Sequence, residues 1–282
     1  MSTGPNLSVV VATYEWPAAL NVVLRALAEQ RGEPFEVVVA DDGSGEETAH
    51  VVDRWRSRLE LRHVWQPNEG FLKARLLNRA VLAARGGYLV FLDGDCVPRL
   101  GFTNAVRRGA LPGWFLASKR LHLSPRVTER VLSGALPVWR WSAPHWLLRA
   151  PRELFVSHHR QANRPGVLLA VRDRGRPWKP GRSEFRPPYN GYGYAFGVFR
   201  GDFERVNGFD MRLCGWDGED VDIAERLHAA GVRCGWPGPD ASVLHLWHAQ
   251  RKRPARRPTI EAGVIEVSPG LRELAQELQT LT

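Results

Sequence analysis

Two aspartates close the apolar run of "VFLDGDCVP", with Asp93 and Asp95 on either side of Gly94. Carboxylates placed just past a buried strand can jointly hold a hard divalent cation and leave positions open for phosphate oxygens. The same Asp-Gly step also suits a plain turn. A second acidic group lies far downstream in "LCGWDGEDVDIAERL", where Asp217, Glu219, Asp220 and Asp222 follow Trp216. A third, Asp41 and Asp42 in "VVVADDGSG", offers acceptors to a nucleobase and a ribose, or serves only a turn and a helix cap at Ser44.

Cations and imidazoles complete the inventory. In "NEGFLKARLLNRA", Arg75, Asn78 and Arg79 share one helical face, with Lys73 nearer the helix start. Such cations would neutralise a metal-bound diphosphate; the alternative is a solvated basic face. His245 and His248 stand three apart in "VLHLWHAQ". On a strand they would point to opposite faces, and in a turn they would converge. Nitrogen ligands added to an oxygen-lined site suit Mn²⁺.

These groups need a scaffold, and the first hundred residues supply one. "LSVVVAT" (7–13), "FEVVVAD" (35–41) and "YLVFLDGD" (88–95) are apolar, β-branched runs of the kind buried on both faces of a sheet, and "LELRHVWQ" is an alternating strand between them. Helical spacing separates them: Pro17 opens the first helix, "SGEETAHVVDRW" forms a second capped near Ser44, and "GFLKARLLNRAVLAAR" a third. This order predicts a parallel sheet with right-handed crossovers. Ligands of such sheets lie beyond the strands' carboxyl ends. There the sequence places Thr13, Tyr14 and Glu15, then "DDGS", "QPNEG" and "DGDC", so all four clusters are expected to line one crevice.

From Trp114 to about Pro188 the pattern is irregular and rich in Trp, Arg and Pro, as in "PVWRWSAPHWLLRAPREL". Order returns with "YGYAFGVFRGDFERVNGFD", then a helix over 219–230 stopped by Gly231, a strand in "ASVLHLWH", the basic "QRKRPARRP" and a final helix "LRELAQELQTL". The expected division is 1–113, 114–250 and a tail over 251–282.

The chain has 282 residues, 44% hydrophobic and 24% charged, an ordinary globular composition. Three cysteines form no CxxC pair, which disfavours a disulfide framework or a zinc site. No apolar run is long enough to span a bilayer, and the first residues lack a basic signal region, so a cytoplasmic location is expected. The net charge of +9 fits nucleic acid, an anionic membrane surface, a phosphorylated substrate, or solubility alone. No GxGxxG or P-loop follows the first strand, which disfavours a dinucleotide enzyme or a P-loop NTPase. No RRM, KH or zinc-finger signature supports nucleic acid. A nucleotidyltransferase would show a glycine- and lysine-rich first loop, which "VVVATYEWP" lacks.

Together, "VVVATYEWP", "VVVADDGSG", "NEGFLKARLLNRA", "VFLDGDCVP", "FRGDFERVNGFD", "GWDGEDVDIAERL" and "LHLWHAQ" resemble, in order, the family 2 glycosyltransferases of the GT-A fold. The later motifs resemble the galactosyltransferase-type half of β-1,4-galactosyltransferases and bacterial chondroitin polymerases. The resemblance implies an α/β, mostly parallel Rossmann-like sheet flanked by helices, with an acceptor lobe in its C-terminal half. It implies inverting transfer from a UDP-sugar to a hydroxyl of a glycan or lipid-linked acceptor, with Mn²⁺ or Mg²⁺. By it, Tyr14 and Asp42 match nucleoside-binding positions, beside Thr13, Glu15, Lys73, Arg75 and Gly94. Asp93 and Asp95 match the metal-binding pair, His248 its histidine, and His245 a further ligand. Glu219 matches the acceptor contact and Asp220 the base, with Trp216 as a wall against the acceptor sugar. Three positions depart from the pattern: Asp217 stands where glycine is usual, Met211 where Glu is frequent, and Ala195 where Asn is usual. They bear on the acceptor side or the donor sugar. A peripheral contact of the Trp-rich segment and tail with an anionic membrane, and a homodimer, stay open.

Overall fold

A computed structural model of the chain describes residues 6–155, 184–185, 195–214, 218–249 and 265–280. β1 (Leu7–Thr13), β2 (Glu36–Asp41), β3 (Glu60–Trp65) and β4 (Tyr88–Asp93) alternate with α1 (Pro17–Ala28), α2 (Glu46–Trp55) and α3 (Lys73–Ala83). β1 pairs in parallel with both β2 and β4, and β3 in parallel with β2. Strand alternation explains the double burial. Val9 and Val11 pack with Leu20 and Leu24 of α1, while Val10 packs with Leu76 and Leu77 of α3 on the other face. Each such side chain contributes about 1.5–3 kcal/mol on burial.

After β5 (Cys96–Pro98) and α4 (Phe102–Gly109), the sheet continues through β6 (Trp114–Ala117), β8 (Glu184–Phe185), β9 (Ala195–Phe199) and β10 (Arg233–Gly235). Among the described residues it has eight strands, in the order β3-β2-β1-β4-β9-β6-β10-β8. β9 runs antiparallel to both β4 and β6, so the mostly parallel sheet carries an insert of opposite direction. The chain winds outward from β1 through β2 and β3, then returns to place β4 on β1's other side. That reversal opens a crevice at the carboxyl ends of β1 and β4.

A small second sheet crosses this edge. β11 (Val243–His245) lies between β5, antiparallel, and β7 (Arg120–His122), parallel, with His245 opposite both Cys96 and His122. The expected strand through His248 is therefore shorter: pairing stops at His245 and the chain turns.

Up to residue 155, the Trp-rich stretch is more ordered than its composition suggests. It folds into α5 (Pro125–Leu132), α6 (Ala143–Arg149) and α7 (Pro151–Phe155), with Trp139, Trp141 and Trp146 buried. α8 (Arg200–Arg205) follows β9, then α9 (Glu219–Ala229), and α10 (Leu271–Thr280) packs on α3.

α9 is anchored from beneath. Arg226, fully buried, donates from Nε to Asp222 Oδ2 at 2.9 Å and from its terminal nitrogens to the carbonyls of Val206 (2.7 Å) and Gly208 (2.8 Å). Asp222 thus serves an ion pair inside the helix rather than the crevice. Replacing one member strands the other charge in the core. Arg226→Leu is expected to lower unfolding free energy by about 3–5 kcal/mol, read by urea denaturation; a loss below 1 kcal/mol would rule out this anchoring.

Candidate active site

The crevice is built first by loops that lace the ends of β1 and β2. Asp42 N donates to Thr13 O at 3.1 Å and Gln66 N to Asp41 O at 3.1 Å. Asp41 accepts from Ser44 N at 2.9 Å and lies 2.9 Å from His63 Nε2, so it holds its own turn. Gly43 sits at φ 91, and a Cβ there would meet Asn68 N at 2.5 Å, so only glycine fits. Asp42 accepts from Gln66 Nε2 (2.6 Å) and Leu72 N (3.3 Å), and burial raises its pKa.

Tyr14 OH accepts from Asn68 Nδ2 at 2.9 Å. Glu15, at φ 47, accepts from Gly45 N at 2.8 Å and donates from its own N to Ser44 Oγ at 2.9 Å. One expectation is corrected here. Gly45, not Ser44, is the N-cap of α2, and Ser44 bonds back to the β1 loop instead. The Glu15 carboxylate is exposed at the mouth of the crevice and uses one oxygen on that helix start.

The next wall is the turn after β4. Gly94 N donates to Ala12 O at 2.7 Å, and a Cβ on Gly94 would sit 2.6 Å from that oxygen. The glycine lets the turn close on β1 and parts the two aspartates. Asp95 turns to the second sheet, with Oδ2 at 3.3 Å from His248 Nε2 and 3.7 Å from His245 Nε2. Burial would raise the Asp95 pKa, but His245 and His248 outweigh it and hold the carboxyl well below the usual range. Donor atoms of Asp95, His245 and His248 lie within 4.8 Å of one another, and so do those of Asp93, Asp95 and Cys96. One oxygen and two imidazole nitrogens, with a second carboxylate nearby, form a set that fits Mn²⁺ or a similar divalent ion. Ring contacts pack around the imidazoles: His122 lies 5.0 Å from His245, and Trp16 edge-on 5.9 Å from His248. Neither was expected at the site. Trp16 lies within the motif "VVVATYEWP", whereas His122 arrives only through the β7–β11 pairing.

Asp93 faces the other way. Lys73 Nζ is 2.7 Å from Asp93 Oδ1 and 3.0 Å from Glu219 Oε1. Burial pulls the Lys73 pKa down, yet Asp93, Glu219 and Asp220 outweigh it and hold it well above its ordinary value. Burial raises Asp93 to about 6 against the pull of Lys73. It likewise raises Asp220 to about 6, helped by the charge of Glu219. Ala12, Leu77, Phe91 and Phe196 supply the apolar wall that desolvates these groups.

Lys73 thus bridges the two acidic groups, where the sequence suggested only a cation for the diphosphate. Arg75 is turned to α10, pairing with Glu277 at 2.5 Å, and Asn78 is buried, exchanging hydrogen bonds with the backbone of Phe209. The expected basic face of α3 is therefore a packing surface at these two positions. Trp216 and Asp217 lie outside the described residues.

A mostly parallel sheet with this reversal point and helices on both faces is the architecture of the GT-A fold. Residues 8–102 match the family described as "Glycosyl transferase family 2", and residues 180–249 match "N-terminal domain of galactosyltransferase". Validoxylamine A glucosyltransferase of Streptomyces hygroscopicus subsp. limoneus is 31% identical over 236 residues, covering 81% of this chain and 49% of its own. Chondroitin synthase of Escherichia coli is 34% identical over 94 residues, covering 33% of this chain and 14% of its own. The solved structure of GalNAc-T7 with UDP, GalNAc and Mn²⁺ shares the fold at a TM-score of 0.58 and 14% identity, covering 88% of this chain and 45% of that one. The first part of the chain, residues 8–102, thus carries the family 2 glycosyltransferase match, and residues 180–249 a galactosyltransferase-type one. The chain spans about half the length of the validoxylamine A glucosyltransferases it matches.

Removing the bridging ammonium leaves Asp93, Glu219 and Asp220 facing one another in a desolvated crevice. Lys73→Met is expected to cost about 3–5 kcal/mol of stability at pH 8. Asp93 and Asp220, already raised to about 6 beside Lys73, then titrate higher still in the folded chain, so protonation relieves the penalty as pH falls from 8 to 5. Thermal unfolding at pH 8 and pH 5 reads this; an equal loss at both would refute the charge argument.

Proposed function

We propose that the chain catalyses inverting transfer of a sugar from a nucleoside diphosphate donor, a UDP-sugar, to a hydroxyl of a glycan or lipid-linked acceptor. The observation that carries this is the Lys73 bridge, which ties Asp93, two residues before Asp95, to Glu219, the neighbour of Asp220. Group transfer needs leaving-group stabilisation and proton removal from the nucleophile, and the two acidic clusters divide these tasks. The family 2 match and the fold shared with a UDP- and Mn²⁺-bound transferase support it.

In this reading residues 1–113 bind the nucleotide sugar, 114–250 bind acceptor and carry the base, and 251–282 form a tail. Thr13, Tyr14 and Asp42 face the nucleoside, and Gly94 admits the diphosphate close to the backbone. Asp95, His245 and His248 would hold Mn²⁺ or Mg²⁺, with Asp93 beside them. When bound, such an ion offsets the charge that develops on the departing diphosphate. Lys73 holds Asp93 and Glu219 in register and adds positive potential to the same side. Glu219 contacts the acceptor.

Asp220 takes the proton from the acceptor hydroxyl as that oxygen attacks the anomeric carbon. Its carboxyl, raised to about 6, is mostly ionised at neutral pH yet more basic than an ordinary aspartate. The apolar wall keeps water from competing as nucleophile. The reaction is placed in the cytoplasm, at the inner membrane face where the acceptor is lipid-linked.

Asp220→Asn is expected to cut transfer by about 10²–10⁴-fold while nucleotide-sugar binding, read by thermal shift with Mn²⁺, is kept. Because the base acts deprotonated, wild-type turnover should rise with pH through about 6. Near-normal turnover of the variant would exclude Asp220 as base. His248→Ala, or chelation, should remove the Mn²⁺-dependent thermal shift. Release of nucleoside diphosphate marks glycosyl transfer; pyrophosphate chemistry would point to a nucleotidyltransferase instead.

A further inference from the structure

The tryptophans of "PVWRWSAPHWLLRAPREL" face inward, and this turns a different part of the segment outward. Trp146 is fully buried and meets Trp141 at 5.0 Å between ring centroids. On the short helix α6 this leaves Leu147 and Leu148 pointing to solvent, 47% and 84% exposed. Leu148 is the most exposed large apolar side chain among the described residues.

The charge around these leucines is one-sided. Residues 120–155 contain six arginines and two glutamates. Of the glutamates, Glu153 is buried and accepts from Ser124 N at 2.6 Å, a bond that ties α7 to the start of α5. Of the arginines, Arg126, Arg130, Arg140, Arg149 and Arg152 are exposed, and Arg140 pairs with Glu29. Two protruding leucines followed in the chain by Arg149 and Arg152, with Arg126 and Arg130 on the helix to which α7 is tied and Glu129 the exposed acid of the segment, match the boundary of an anionic bilayer. Apolar side chains enter below the headgroups while cations meet lipid phosphates within a Debye length.

The face also backs the candidate site. Thr128 of α5 accepts from Trp247 N at 2.8 Å, and Trp247 lies between His245 and His248. A surface held against α5 is thus one helix away from the imidazole loop.

We infer that the α5–α7 face docks on an anionic phospholipid bilayer, with Leu147 and Leu148 inserted and Arg126, Arg149 and Arg152 on lipid phosphates. This deepens the transferase reading by stating how a lipid-linked acceptor would be met, and it rests on that reading for the acceptor alone. Binding to the bilayer needs no catalysis.

The full chain is spun with vesicles of pure phosphatidylcholine, with vesicles of mixed phosphatidylglycerol and phosphatidylcholine, and alone. Wild type and Asp220→Asn should both sediment with the mixed vesicles, stay in solution with phosphatidylcholine, and be released by added salt. Leu148→Glu, and separately Arg149→Glu with Arg152→Glu, should lower the bound fraction by about tenfold. Nucleotide-sugar binding in solution should stay unchanged in these variants, which shows they are folded. No sedimentation with mixed vesicles, equal sedimentation with both lipids, binding unaffected by the variants, or pelleting without vesicles through self-association would each overturn the inference. Absence of transfer by the wild type with vesicle binding intact would instead count against the transferase reading.

Discussion

The Lys73 ammonium holds the crevice together, and its placement is not the one a helix would choose. Lys73 opens α3, where the helix dipole is positive and a cation is disfavoured by about 0.3–1 kcal/mol. No acid in the first turn of α3 offsets this. What compensates is tertiary: Asp93 from the end of β4 and Glu219 from the start of α9, at 2.7 Å and 3.0 Å. Without it, a desolvated cleft would hold acids from two distant parts of the chain with nothing to keep them close. With it, their mutual repulsion becomes a shared attraction to one point, and the strand end and the helix start acquire a fixed relation.

The second relation runs through the small sheet. Asp93 and Asp95 are two apart and would share a face if the strand went on. The close approach of Gly94 to Ala12 ends β4 and sends Asp95 toward β11 while Asp93 keeps to α3. Pairing of His245 with Cys96 then brings the imidazoles to Asp95 by register, not by flexible reach. One glycine therefore lets neighbouring carboxylates serve different partners.

The scaffold of the first half was legible because strands buried on both faces leave little choice of residue. The expected Phe35–Asp41 strand begins at Glu36, and the Leu7–Thr13 strand is found unchanged. Ser44 misled because its hydroxyl had a better partner in the Glu15 amide, a contact made across 29 residues that no local pattern reveals. Strands of three or four residues, such as β6 and β10, are too short to show a period. Their place, β6 beside β9 and β10 beside β6, depends on pairing alone. The orientation of the tryptophans stayed open for a related reason: an aromatic, arginine-rich composition is the same whether the rings or the leucines face outward. Burial of Trp139 and Trp146 decides it. His122 joins the imidazoles through β7, so spacing within one motif could not announce it.

The acids of α9 show how one turn of helix separates structural from chemical duties. Glu219, Asp222 and Arg226 follow i, i+3 and i+4 steps and share the inward face, and all three are buried. Glu219 finds Lys73 and Asp222 finds Arg226, so the charges on that face are matched within hydrogen-bonding reach. Asp220 is rotated about 100° from Glu219. It borders the crevice lined by Phe91, Phe196 and Asp93, half-buried, with its carboxyl raised by burial and by Glu219. The backbone amides at the helix start and the charge of Lys73 draw its pKa back without forming an ion pair of the Arg226 kind. Had Asp220 met its own guanidinium, its carboxyl would be a poor proton acceptor. Had it faced water alone, it would be an ordinary aspartate. The structural acids beside it are what permit it to be neither, because they fix the helix start on which its position depends.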